Sequence, residues 1–96
     1  GFPPGRMVVL LHADDVGMCY EANQAAKEGL TGKHYLSASA MAPTPWFPEI
    51  AHWSKEHPEY DIGLHLTLNS EWRFYRWGPC ADRKDVPGLI DKLGFL

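Results

Sequence analysis

The sequence predicts an α/β fold in which three parallel strands alternate with two helices. Apolar runs of strand length are separated by stretches of alanine and long polar residues that favour helix. A strand–helix–strand–helix–strand order implies parallel strands joined by right-handed crossovers. The predicted strands cover residues 7–13, 35–41 and 61–68, and the predicted helices cover residues 20–30 and 47–56.

The first half of the chain supplies two strands and a helix. Residues 7–13 are apolar on both faces and rich in branched side chains, as a buried parallel strand is. An Asp-Asp-Val-Gly turn follows, and the helix over residues 20–30 is ended by Gly29 and Gly32. The strand over residues 35–41 alternates leucine and alanine with serine and methionine.

The second half begins with the helix over residues 47–56, which Pro58 ends. Residues 61–68 alternate isoleucine or leucine with other residues, and we expect helices to cover their leucine face. Residues 69–96 lack periodicity, which is typical of a functional loop or an incomplete domain. On the second interpretation, residues 1–96 form a partial domain that is incomplete at its C-terminus. A further polypeptide or a second copy of the chain is expected to cover the open sheet edge.

Composition excludes several classes of function. The 96 residues carry a net charge of -3 and are 45% hydrophobic, which is ordinary for one soluble domain. No basic cluster indicates nucleic-acid binding, and no apolar stretch approaches the roughly 20 residues that cross a bilayer. Cys19 and Cys80 lie far apart and are predicted to be reduced thiols. These features predict a cytoplasmic protein.

Two carboxylates and a histidine are predicted to meet at one edge of the sheet. Asp14 and Asp15 follow the first strand, and His65 lies near the end of the third. Adjacent carboxylates repel, so they stay charged together only beside a cation or several donors. Aspartate and histidine suit Zn²⁺ or a similar divalent ion. The alternatives are that an aspartate caps the next helix and that His65 is a hydrogen-bonded core residue.

An aromatic and basic run extends from Trp72 to Pro79. It predicts a platform for sugar rings made by Trp72 and Trp77, with Arg76 reaching hydroxyl or carboxylate groups. The alternative is a hydrophobic lid or a subunit contact. His12, on the first strand, is predicted to be merely packed.

Several motifs together resemble the YdjC-like carbohydrate deacetylases, which include the chitooligosaccharide deacetylases. They are His12-Ala13-Asp14-Asp15-Val16-Gly17-Met18, Asn23, Ser37-Ala38-Ser39-Ala40-Met41 and Gly63-Leu64-His65-Leu66-Thr67-Leu68. The resemblance implies that the chain is the N-terminal part of a TIM-barrel-like (β/α) fold. It further implies a divalent metal ion, Mg²⁺ or Zn²⁺, with Asp15 and His65 as ligands and Asp14 as the general base. The implied reaction removes N-acetyl groups from amino sugars or chitooligosaccharides.

The chain departs from that family in its length. The family's domain has roughly 250 residues, a typical barrel size, and its second metal histidine belongs to a later Asp-x-His-x-His-type segment that is absent here. We therefore expect an N-terminal fragment that carries half of the site and whose activity alone is in question. The alternative is a non-catalytic carbohydrate- or protein-binding remnant of the same fold.

Overall fold

A computed structural model of the chain describes residues 2–96 and confirms the predicted α/β class. All three strands are parallel, and the second lies in the centre of the sheet. The elements are β1 (His12–Val16), α1 (Tyr20–Thr31), β2 (Ser37–Met41), α2 (Phe47–Glu56) and β3 (Asp61–His65), followed by a 3₁₀ turn at Arg83–Asp85. No helix within residues 2–96 combines the length and apolarity needed to cross a membrane.

The main core lies between the sheet and its two helices. Alanines on β2 leave room for the larger side chains of the helices to pack against the strand. The fully buried members of this core are Val16, Ala26, Leu30, Ala38, Ala40 and Ile50. A separate apolar cluster of Met41, Trp77 and Leu96 joins the end of β2 to the C-terminal segment. The core thus fixes the strands, and the second cluster fixes the loop that follows them.

Strand β1 begins five residues later than the sequence predicts. Residues 7–11 are exposed, with Met7 at 94%, and the first backbone hydrogen bond to the neighbouring segment joins the Leu36 N–H to the Leu11 carbonyl. An apolar run becomes a strand only where a partner strand lies beside it, and β2 starts at Ser37. The aspartate pair consequently lies inside β1, whereas the sequence placed it in the following turn.

Strand β3 ends at His65, three residues earlier than predicted. Ile62 packs against the core, but Leu64, Leu66 and Leu68 are exposed. The expectation that helices cover the leucine face is therefore wrong for residues 2–96, because α1 and α2 pack mainly against β1 and β2. The polypeptide that would cover these leucines stays a prediction.

A β-bulge interrupts β1 at the aspartate pair. Ala13 lies opposite Ala38 and Val16 lies opposite Ala40, so three steps along β1 match two along β2. Asp15 accommodates the extra residue with a φ of 56°, in the left-handed region that aspartate tolerates better than most residues. The bulge keeps Ala13 and Val16 on the same, core-facing side despite their odd spacing, and it redirects the side chain of Asp15.

The turn after β1 is anchored on Gly17. Its φ is 96°, and its carbonyl accepts a hydrogen bond from the Trp46 N–H at 3.0 Å. The buried Thr44 hydroxyl lies 2.7 Å from the same carbonyl and 2.6 Å from that of Met41. These contacts join the end of β1 to the segment that leads from β2 into α2.

Replacing Gly17 by alanine should destabilise the chain by about 1–3 kcal/mol, because a positive φ is strained for a residue with a Cβ. The added Cβ would lie 2.9 Å from Thr44 Oγ1 and 3.2 Å from Phe47 Cα. Urea unfolding monitored by tryptophan fluorescence measures the change. Gly88→Ala is the matched control, since no atom lies within 4 Å of its added Cβ. Equal stability of the two variants would contradict this account of the turn.

Candidate functional site

Asp15 and His65 meet at the C-terminal edge of the sheet. Asp15 Oδ1 lies 3.3 Å from His65 Nε2, and both side chains are partly exposed. The bulge in β1 presents the carboxylate, and β3 presents the imidazole beside Met41, its register partner on β2. The structure thus brings together the two residues that the sequence predicts to be metal ligands.

The protonation of the His65 ring determines how it interacts with Asp15. His65 Nδ1 lies 3.2 Å from the carbonyl oxygen of Leu66, which can only accept a hydrogen bond. With the proton on Nδ1, a neutral imidazole directs the lone pair of Nε2 at the Asp15 carboxylate, whereas with the proton on Nε2 the ring donates to Asp15. In the first case, two acceptors at this separation repel unless a cation lies between them. Either a second proton on the imidazole or a metal ion meets that requirement.

The separation of the two donors fits a shared metal ion. Oxygen and nitrogen ligands at about 2.0–2.2 Å from one tetrahedral ion lie about 3.3–3.5 Å apart, and the observed distance is 3.3 Å. Within residues 2–96 no group of three histidine, cysteine, aspartate or glutamate side chains could hold a metal ion. The chain therefore offers two donors of the right chemistry, and further ligands have to come from water, substrate or other polypeptide.

The pair opens into a small cleft between the sheet edge and the C-terminal loop. Its volume is about 90 Å³. Two carboxylates, those of Asp15 and Glu71, contribute to the wall, and no lysine or arginine does. The lining residues are Asp15, Met18, Met41, His65, Leu66, Thr67, Asn69, Glu71, Trp72 and Trp77. Such a wall favours neutral or cationic groups over anions.

The two tryptophans of the predicted sugar platform occupy different positions. Trp72 is 56% exposed at the cleft, where a sugar ring could stack. Trp77 is only 5% exposed and packs in the cluster with Met41 and Leu96, so its ring is not an open platform. Its Nε1 is buried without a hydrogen-bond partner.

Arg76, predicted to contact substrate, is held by the C-terminal segment. Its guanidinium donates to Asp91 Oδ2 at 2.6 Å and to the carbonyl of Leu96 at 2.9 Å, and it lies over the ring of Phe95. It does not line the cleft. The hydrogen bond from Arg76, aided by the Phe95 amide, lowers the pKa of Asp91 to about 2. This ion pair joins the two ends of the segment over residues 76–91, which contains Trp77.

Asp14, the predicted general base, lies apart from the cleft. It borders a hollow between β1 and α1 together with Ala22, Ala25 and Tyr35, and it is not among the residues that line the cleft. The bulge therefore separates the two carboxylates, and only Asp15 faces His65.

Comparison with known proteins identifies the family of the chain. A sequence model described as YdjC-like protein matches residues 8–96. The chain belongs to the YdjC-like family. It is 31% identical over 93 residues to a protein from Thermus thermophilus named carbohydrate deacetylase, covering 96% of this chain and 30% of that protein. It is also 31% identical over 85 residues to a carbohydrate deacetylase from Geobacillus stearothermophilus, covering 88% of this chain and 31% of that protein. The chain thus spans about a third of the length of these relatives.

A buried asparagine of this YdjC-like chain holds the turn after β1 in place. Asn23, on α1, accepts a hydrogen bond from the Gly17 N–H at 2.8 Å and donates to the Trp46 carbonyl at 3.0 Å and to Glu49 Oε2 at 2.6 Å. Its side chain is wholly buried. Sequence reasoning noted Asn23 only as part of a motif, although a mid-helix asparagine among alanines is itself a signal of side-chain hydrogen bonding.

The polar network continues to the surface through Glu49. Lys27 forms an ion pair with Glu49 Oε1. Burial alone would raise the pKa of Glu49, but hydrogen bonds from Lys27 and Asn23 outweigh it, so the pKa is lowered. The carboxylate is therefore charged at neutral pH and keeps Asn23 in one orientation.

Replacing Asn23 by alanine should lower the free energy of unfolding by about 2–4 kcal/mol, because the Gly17 N–H and the Trp46 carbonyl lose their partner. Chemical denaturation measures the loss. Glu28→Ala, an exposed change on the same helix, is the control and should be close to neutral. A loss below about 1 kcal/mol in the Asn23 variant would show that the network does not stabilise the turn.

The Arg76–Asp91 ion pair should make the stability of the folded chain depend on pH in acid. The pKa of Asp91 is lower in the folded chain, about 2, than its ordinary value of 3.8, so the stabilisation is present above pH 4 and is lost as the pH falls towards 2. Unfolding curves recorded between pH 5 and pH 2 should show a smaller acid loss in Asp91→Asn than in the wild type. The pair is exposed, so the difference should be small. Asp85→Asn serves as the control, and an equal acid loss in all three proteins would contradict the prediction.

Proposed function

We propose that this chain provides the metal-binding half of the centre of a carbohydrate deacetylase, which hydrolyses N-acetyl groups of amino sugars or chitooligosaccharides. The observation that carries the proposal is the Asp15–His65 pair, whose carboxylate oxygen and ring nitrogen face each other at 3.3 Å, a separation that two ligands of one metal ion also have. The exposed ring of Trp72 beside the pair supports a sugar as the ligand. Family membership and the names of the two relatives support the same reaction.

Each residue of the site would have its own role. Asp15 and His65 would hold Zn²⁺ or Mg²⁺, and the Leu66 carbonyl would keep the imidazole in the orientation that a ligand needs. A bound divalent ion supplies Lewis-acid polarisation of the acyl carbonyl and a lowered pKa for water. Met18 and Met41 make part of the cleft wall apolar. The general-base role of Asp14 stays a prediction that its position outside the cleft does not favour.

A non-catalytic, carbohydrate-binding role is the second candidate. It is favoured by the two-donor site, since the described residues offer no third side chain for the ion. Acetate release separates the two roles. With Zn²⁺ or Mg²⁺ and an N-acetylated chitooligosaccharide, a deacetylase would release acetate in an Asp15-dependent manner. Saturable sugar binding without acetate release would assign the chain to the binding role.

Calorimetric titration of Zn²⁺ and Mg²⁺ into the chain tests the metal site directly. We expect saturable one-to-one binding, weakened at least about tenfold in Asp15→Ala and in His65→Ala, because each change removes one of two donors. His34→Ala is the control, since its imidazole is exposed between α1 and β2 and does not line the cleft. No binding by the wild type, or binding that neither site variant weakens, would contradict the proposed function.

A further inference from the structure

Trp77 combines a buried ring with an unused hydrogen-bond donor. Its side chain is 5% exposed, and its Nε1 is the buried side-chain polar atom without a partner in the described chain. Leaving a buried donor unsatisfied costs about 1–3 kcal/mol, so native structures rarely keep one without a reason. Because Trp77 is also part of the cleft wall, a ligand in the cleft is the natural source of the missing acceptor.

The size of the cleft restricts what that ligand group is. Pockets that enclose a whole small molecule measure about 300–1,000 Å³, whereas this cleft measures about 90 Å³. It fits one substituent of a sugar and leaves the sugar ring outside. An acetamido group matches the wall, since its methyl group can contact Met18 or Met41.

The carbonyl oxygen of such a group has two lone pairs, so it can accept a hydrogen bond in addition to a metal contact. Asp15 and Glu71 are carboxylates and only accept hydrogen bonds when charged. The Thr67 hydroxyl already donates to the His65 carbonyl at 3.0 Å, and His65 Nδ1 contacts the Leu66 carbonyl. Asn69 is exposed. The N–H of Trp77 is therefore the buried donor that this wall keeps free.

We propose that the cleft is an acyl pocket in which Trp77 Nε1–H donates a hydrogen bond to the carbonyl oxygen of the N-acetyl group. This inference rests on the proposed function and adds to it a substrate contact and a size limit on the acyl group. The exposed ring of Trp72 then meets the sugar outside the pocket. Because Nε1 is buried, this hydrogen bond requires the wall of the cleft to move when the ligand binds.

Indole ¹⁵N–¹H spectra of the chain test this contact, with the Trp77 signal assigned from single tryptophan-to-phenylalanine variants. The probes are the N-acetylated glucosamine disaccharide and its fully deacetylated counterpart. The Trp77 signal should move downfield and saturate with the acetylated sugar only. Trp77→Phe keeps an aromatic ring but removes the donor, so it should weaken binding of the acetylated sugar about 5–10-fold. Trp72→Phe, the matched control, should bind within about twofold of the wild type, because the stacking face is kept.

Each contrary result has a separate meaning. Saturable binding with an unmoved Trp77 signal and unchanged affinity in Trp77→Phe would overturn this inference and leave the proposed function intact. An equal shift with the deacetylated sugar would overturn the acyl contact, because a hydroxyl would then be the acceptor. No binding of either sugar would overturn the inference, while the metal titration would still judge the proposed metal site. If Trp77→Phe fails to fold, the response of the Trp77 indole signal in the wild-type chain to the two sugars still tests the contact.

Discussion

The site depends on the buried hydrogen bonds of Asn23. This one side chain connects the turn after β1, the start of α2 and the carboxylate of Glu49. A buried amide that satisfies three partners at once has a single stable orientation, because each lost bond leaves a polar group unpaired away from water. The buried Asn23 side chain therefore fixes the position of the turn at Gly17, and with it the C-terminal end of the bulge in β1.

The position of this end of the bulge determines where the two aspartates point. With Ala13 opposite Ala38 and Val16 opposite Ala40, the extra residue of the bulge has to be absorbed by the aspartate pair. Asp15 then faces His65, while Asp14 faces α1. The C-terminal segment closes the cleft from the other side, where Tyr75 donates a hydrogen bond to the Met18 carbonyl and Trp77 packs on Met41.

Sequence patterns were sufficient for the order and type of the elements, but they placed Asp14, Asp15 and His65 together at one edge, and only the family resemblance paired Asp15 with His65. Alternation and the positions of glycine and proline predicted α2 with its observed bounds. They failed for residues 7–11, where apolarity suggested a strand although no strand within residues 2–96 pairs with them, and for the bulge, which depends on register with β2. The role of Arg76 also depended on a long-range partner, Asp91, which no local pattern identifies.

The register of β1 against β2 is the central claim, and interstrand nuclear Overhauser effects measure it directly. The account predicts contacts that pair Ala13 with Ala38 and Val16 with Ala40, together with contacts between the Asp15 methylene protons and the His65 ring. An unbroken register that places Asp15 opposite Ala40 would contradict it. The carboxylate would then point towards the helices, and the chain would have no paired donors at this edge.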